Sequence, residues 1–216
     1  MIARKASLLV VGLTGSIGMG KSTAALRLRQ LGIPVCDADA EVHKLYAGAA
    51  VAPIEAAFPG VTRAGAVDRA ALAAHLLANP SSFKTLEAIV HPLVQAAERR
   101  FLRGAADNGE KIAVLEIPLL LETGADQRVD VTIVVSAGLD QQRTRVMSRP
   151  GMTEDKFATI LARQLPDDQK RASADYVVDT SGTITATHAA IDKIIAALQD
   201  RTGSAFARYW SEPGKS

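Results

Sequence analysis

The segment Gly15-Ser16-Ile17-Gly18-Met19-Gly20-Lys21-Ser22 constrains the fold of this chain more than any other. Its glycines, lysine and serine follow the spacing G-x-x-x-x-G-K-[ST], which works only where a strand leads in and a helix leads out. The glycines let the backbone turn tightly, so that successive N–H groups converge at a helix N-terminus and its positive dipole end. Both flanks are present. Residues 8–13 form a short apolar run. Ala24, Ala25, Leu28 and Leu31 then share one face of a helix expected to run from near Gly20 to Gly32, a suitable residue to follow a helix C-terminus.

Three further apolar runs, 33–36, 112–117 and 131–135, and a weaker one at 176–178 alternate with stretches of helical period. Short Val/Ile/Leu runs separated by helices predict strands buried on both faces of a parallel sheet, hence an α/β architecture. Residues 45–104 show no strand pattern and read as a helical insertion. Within it Asp68 caps a helix ending at Ala78, Asn79-Pro80 breaks it, and Ser81 or Ser82 opens another. Phe83, Leu86, Ile89 and Val90 form its apolar stripe, which Leu93, Val94, Ala97 and Phe101 continue beyond His91-Pro92. A second helical stretch, 141–171, is rich in basic residues, and a last helix is expected over about 185–198. The reading is one domain over 1–202, with core segments 7–44, 105–140 and 172–200. The tail 203–216 is expected to be flexible.

Of 216 residues only 4% are aromatic, and the net charge is +2. So small a surplus and so few rings argue against a nucleic-acid-binding surface. The single cysteine, Cys36, cannot form an internal disulfide and is expected to be a small buried residue in a strand. No run approaches the ~18 apolar residues that span a bilayer. The expectation is a soluble cytoplasmic protein without a membrane partner.

The glycine-rich loop predicts a nucleotide-phosphate cradle. Lys21 would reach the β- and γ-phosphates of ATP and the Ser22 hydroxyl would ligate Mg²⁺. Asp37-Ala38-Asp39 follows the second strand, at the strand ends where open parallel sheets place ligands. An Asp there can take a proton from an attacking hydroxyl, or cap the helix carrying Val42 and Leu45; at a spacing of two, only one of the pair need face a site. Glu116 ends a strand where a carboxylate could meet Mg²⁺ through a bound water, or simply face solvent. Arg143, Arg145, Arg149, Lys156, Arg163, Lys170 and Arg171 read for the most part as a solvated face. Arg149 is set apart by the Pro150-Gly151 turn that follows it.

The longer pattern Gly12-Leu13-Thr14-Gly15-Ser16-Ile17-Gly18-Met19-Gly20-Lys21-Ser22-Thr23 resembles the Gly-Leu-Thr-Gly-Gly-Ile-Gly-Ser-Gly-Lys-Ser-Thr of the dephospho-CoA kinase family, departing at Ser16 and Met19. Asp37-Ala38-Asp39 followed by His43, residues 86–92 ending in His91-Pro92, Pro118 to Glu122, Arg145, Arg149, Gln164 and Ala174-Asp175 are similar to further segments of that family. The resemblance covers about residues 8–200. It implies a P-loop fold like that of nucleoside monophosphate kinases: three layers around a parallel five-stranded sheet, with the insertion 45–104 binding the acceptor and 141–171 as a lid. It also implies ATP and Mg²⁺ as cofactors and dephospho-CoA as the small-molecule partner. By the same resemblance Gly15 to Thr23 hold the nucleotide, and Asp39 is the general base beside Lys21, Arg149 and Thr14. His43, His91 and Pro118 lie on the acceptor side, with Ser22 and, through water, Glu116 at the metal. Thr180 stands where the family has Asn. A monomer or weak homo-oligomer is expected. The alternatives are a nucleoside monophosphate kinase and, in another class, a regulatory GTPase. The latter would need Asn-Lys-x-Asp, which the chain lacks.

Overall fold

The apolar runs pair as parallel strands. The computed structural model describes residues 7–211. In it β1 (Leu9–Thr14) lies between β5 (Ile112–Glu116) and β6 (Val131–Ser136), and β7 (Tyr176–Asp179) follows β6. With β2 (Val35–Asp37) beside β5, the five-stranded order is β2-β5-β1-β6-β7. Strands β1, β5 and β6 are buried along their whole length, which is why they read as unbroken apolar runs rather than alternating ones.

The described residues divide into two compact units, 7–36 with 102–211, and 37–101. In the first, α1 (Lys21–Gln30) and α9 (Ile184–Leu198) pack on one face of the sheet. Ala24, Ala25 and Leu28 meet Leu9, Val11, Leu13, Ile133, Ile191 and Ile195 there. The basic stretch resolves into three helices, α6 (Leu139–Met147), α7 (Glu154–Leu161) and α8 (Asp167–Ala172). Thr153 caps α7 by accepting the Lys156 N–H, and Gly151 takes the left-handed φ of 73° that ends the preceding turn.

The tail departs from expectation. Asp130 Oδ1 accepts N–H groups of Ser204 at 2.6 Å and Ala205 at 2.8 Å, while its Oδ2 accepts Val10 N–H of the central strand. Phe206–Trp210 then forms a wide helical turn that buries Trp210, whose indole donates to the Arg128 carbonyl under the Arg128 guanidinium. One acidic residue and one tryptophan thus tie down a segment whose Gly, Ser and Pro content suggested mobility. Residues 212–216 of that prediction lie outside the described residues.

The second unit is built from α2 (Ala38–Tyr46), α3 (Val51–Ala57), α4 (Arg69–Ala78) and the first part of α5 (Ser82–Asp107). Leu45, Ile54, Phe58, Leu72, Leu76 and Val90 form its core. Because Leu45 packs here, α2 and the acidic residues at its start belong to this unit, which begins at 37 rather than at the expected 45. The segment also contains a hairpin the sequence did not suggest, β3 (Thr62–Arg63) with β4 (Ala66–Val67). Strands of two residues carry no readable alternation. Their turn, Ala64-Gly65, uses two left-handed residues, φ 52° and 79°.

Candidate active site

In the first unit the glycine-rich loop joins β1 to α1 as predicted. Gly18 and Gly20 adopt φ of 77° and 85°, a region that costs a side-chain-bearing residue steric energy. Lys21 Nζ lies 3.0 Å from Glu116 Oε1, and Arg29 reaches Glu116 Oε2 at 3.5 Å. Glu116 is only 3% exposed, so two cations answer one buried carboxylate at the strand end. Glu116 therefore does not face solvent. A carboxylate and the Ser22 hydroxyl offer hard oxygen donors of the kind Mg²⁺ takes alongside water and phosphate, so the residues present fit that ion. Thr14 is fully buried and donates its hydroxyl to the Pro118 carbonyl at 3.1 Å. That contact braces the end of β1 against the segment after β5, a structural use of a residue expected beside the reacting groups.

Side chains from other segments hold the outside of the loop. Gln142 of α6 donates to the Ile17 carbonyl at 2.9 Å, and Gln164 accepts the Ile17 N–H at 3.1 Å. Thr180, 4% exposed, donates to the Met19 carbonyl at 2.8 Å, and Arg145 donates to the Thr180 carbonyl at 2.6 Å. Lys170 is fully buried with its Nζ 2.7 Å from Glu122 Oε1, close enough to pair though not aligned as a hydrogen bond; the same oxygen accepts Leu165 N–H. The basic stretch is therefore only partly a solvated face. Arg143 pairs with Glu154 across the turn between α6 and α7. Arg149 is exposed in that turn, with its carbonyl accepting Met152 N–H.

In the second unit the two aspartates divide their roles. Asp37 caps α2, its carboxylate accepting Ala40 N–H at 3.1 Å. Asp39, in the first turn of the same helix, is exposed and lines a cavity of about 420 Å³. His43 and Tyr46 of α2 line it with Asp39, and Arg69, Leu72 and Leu76 of α4 line it too. Burial pushes the Tyr46 hydroxyl above its ordinary range, with the Arg69 charge pulling the other way, so it stays a neutral donor at physiological pH. Arg69 is placed by its neighbour. Asp68 caps α4, accepting Ala70 and Ala71 N–H at 3.0 and 3.1 Å, and these backbone donors hold its carboxyl below the usual range. His91 is exposed on α5 and does not line the cavity, to which α5 contributes Leu86.

The family model for dephospho-CoA kinase matches residues 9–186, most of the chain. A dephospho-CoA kinase of Rhizobium meliloti is 54% identical over 192 residues, covering 89% of this chain and 99% of that protein. One of Mesorhizobium japonicum is 51% identical, covering 91% of this chain and all of that protein. The chain belongs to the dephospho-CoA kinase family. A solved Thermus thermophilus protein superposes with a TM-score of 0.76 at 34% identity, covering 89% of this chain and 98% of its own. A Campylobacter jejuni dephospho-CoA kinase, at 22% identity and TM-score 0.68 over 89% of this chain and 98% of its own, shares the fold. So does an Acinetobacter baumannii shikimate kinase, at 17% identity and TM-score 0.50 over 88% and 93%.

This member of the dephospho-CoA kinase family is thus a kinase with a phosphate cradle in one unit and a cavity beside Asp39 in the other. Sequence reasoning missed Arg69, whose only signal was its place after the predicted cap Asp68. It also missed Gln142 and the buried use of Lys170, which sit in a helical stretch with no distinguishing pattern. Among the described residues no helix is long and apolar enough to cross a membrane.

Proposed function

We propose that this kinase moves the γ-phosphate of ATP to the ribose 3′-hydroxyl of dephospho-CoA, giving ADP and CoA, with Asp39 as general base. The observation that carries the reading is the split between the two aspartates: Asp37 spends its carboxylate on Ala40 N–H, while Asp39 stands exposed at the cavity. A hydroxyl is a weak nucleophile at neutral pH and gains from a positioned carboxylate; a monophosphate acceptor is already anionic and does not. In the step, the 3′-oxygen bonds to the γ-phosphorus and the bond to the β-bridging oxygen breaks. The hydroxyl proton passes to Asp39, and ADP leaves.

Lys21 exchanges Glu116 for the β- and γ-phosphates when nucleotide arrives. Bound Mg²⁺ near Ser22 and Glu116 would neutralise phosphate charge. Arg149 answers the charge that develops on the equatorial oxygens. On the acceptor side, Arg69 offers a cation to the diphosphate of dephospho-CoA, and the walls made by Val42, Leu72, Leu76 and Leu86 suit its pantetheine arm. His43 contributes a ring at the same rim.

The test is ADP release with dephospho-CoA, AMP, CMP and UMP side by side. Dephospho-CoA should turn over fastest. Faster turnover on any monophosphate would replace this reading with that of a nucleoside monophosphate kinase.

A further inference from the structure

Residues outside the cradle decide which way its amides point. The Ile17 carbonyl is tied to the buried side chain of Gln142, and the Ile17 N–H to Gln164. A trans peptide is planar, with its carbonyl and the following N–H directed oppositely. A carbonyl of Ile17 held towards α6 therefore turns the Gly18 N–H away from α6. The Met19 carbonyl, held by Thr180, turns the Gly20 N–H in the same manner. Gly18 and Gly20 are the residues whose φ is least restricted, so the peptides beside them could rotate at low steric cost. The space at both positions admits only glycine: a Cβ on Gly18 would come within 2.6 Å of Val146, and one on Gly20 within 3.0 Å of Thr180.

We infer that Gln142 is a positioning residue for nucleotide binding, assisted by Gln164 and Thr180: it holds the Ile17–Gly18 peptide so that the Gly18 N–H faces the nucleotide diphosphate. The role rests on the cradle being a nucleotide site, and it requires a donor. A Leu at 142 fills the space but leaves the carbonyl unpaired, and a carboxylate there repels it. The peptide then loses its preference for the orientation that serves phosphate.

The experiment is calorimetric titration of the full chain with ADP and with adenosine in magnesium buffer, for wild type, Gln142→Leu, Gln142→Glu and Gln164→Leu. Wild type should bind ADP far more tightly than adenosine. Gln142→Leu should weaken ADP roughly 10- to 100-fold, the span of one hydrogen bond to a charged group, with adenosine unchanged. Gln142→Glu should be weaker still, and Gln164→Leu should show a smaller loss confined to ADP. Equal weakening of both ligands marks a general packing defect and overturns the inference, as does retained ADP affinity. Should Gln142→Leu not fold, the part-exposed Gln164 decides by the same selectivity. A wild type without preference for ADP removes the cradle reading itself, a result distinct from a wild type that discriminates and variants that do so equally well.

Discussion

The cradle and the cavity beside Asp39 are built from different materials. The cradle is backbone: Gly18 and Gly20 in left-handed conformations, a helix start, and outer side chains that hold peptide groups in place. The cavity is side chains, Asp39, His43 and Tyr46 of α2 and Arg69 of α4, over leucines of α4 and α5. A backbone site dictates glycine at set spacings because only glycine permits the geometry. A side-chain site needs only that the right groups share one helix face, which many sequences achieve. The difference predicts that damage to the cradle falls on the nucleotide, and so on turnover with any acceptor, whereas damage to the cavity falls on the acceptor alone.

The largest expected effect tests charge stabilisation on the cradle side. Arg149 sits exposed at the turn between α6 and α7, without an ion pair among the described residues, whereas Arg143 pairs with Glu154. Arginines that meet the transferring phosphoryl group contribute about 10³–10⁵ in rate. Arg149→Ala should lower kcat by that order in steady-state assays and leave the KM for ATP nearly unchanged. A change confined to KM would remove Arg149 from the chemistry.

Next comes the contrast inside α2. Asp39→Asn should cost about 10²–10⁴ in kcat with both substrates still bound, the usual weight of a general base. Asp37→Asn should be close to wild type, since Asn caps a helix about as well as Asp. The reverse pattern, with Asp37→Asn inactive and Asp39→Asn active, would transfer the base to Asp37. The third test separates the two sites. Arg69→Met should raise the KM for dephospho-CoA roughly 10- to 100-fold, as expected for a lost hydrogen bond between charged groups. The KM for ATP should not move; a parallel rise in both would break the division of labour between cradle and cavity.

What was legible in the sequence follows the same division. The central strands β1, β5 and β6 were readable because burial on both faces demands uninterrupted apolar runs, α1 by its apolar face, and the loop because its glycines are obligatory. Asp68 as a cap was equally plain, since N-caps favour a short list of residues. The choice between Asp37 and Asp39 was not, because it depends on which carboxylate the helix start consumes. Arg69, Gln142 and Lys170 were illegible for a related reason: an arginine, a glutamine or a lysine in a helix looks the same whether its partner is solvent, a loop carbonyl or the half-buried Glu122. The tail was misread because composition cannot reveal that Asp130 and Arg128 wait for it.

The smallest expected effect probes how the cavity wall is held. Asp68 anchors α4 immediately before Arg69, and its carboxyl sits below the usual range chiefly through Ala71 N–H, then Ala70 N–H and the Arg63 charge, against the cost of desolvation. A carboxyl with a depressed folded pKa contributes stability that is present above its ordinary pKa, about 3.9 for Asp, and is lost as pH falls through the lower folded value. Asp68→Asn keeps a cap without titrating, so it should melt close to wild type at neutral pH and lose less than wild type in acid. Asp68→Ala should melt lower at neutral pH, and its deficit should shrink as acid protonates the wild-type carboxylate. Because the frayed turn is the one that presents Arg69, Asp68→Ala should also raise the KM for dephospho-CoA, by less than Arg69→Met does, with the KM for ATP constant. Thermal melts from about pH 7 to about pH 3, paired with acceptor kinetics at neutral pH, read both effects. An Asp68→Ala protein with wild-type melting and wild-type acceptor KM would mean that packing of Leu72 and Leu76 alone holds the wall, and that the cap is incidental to it.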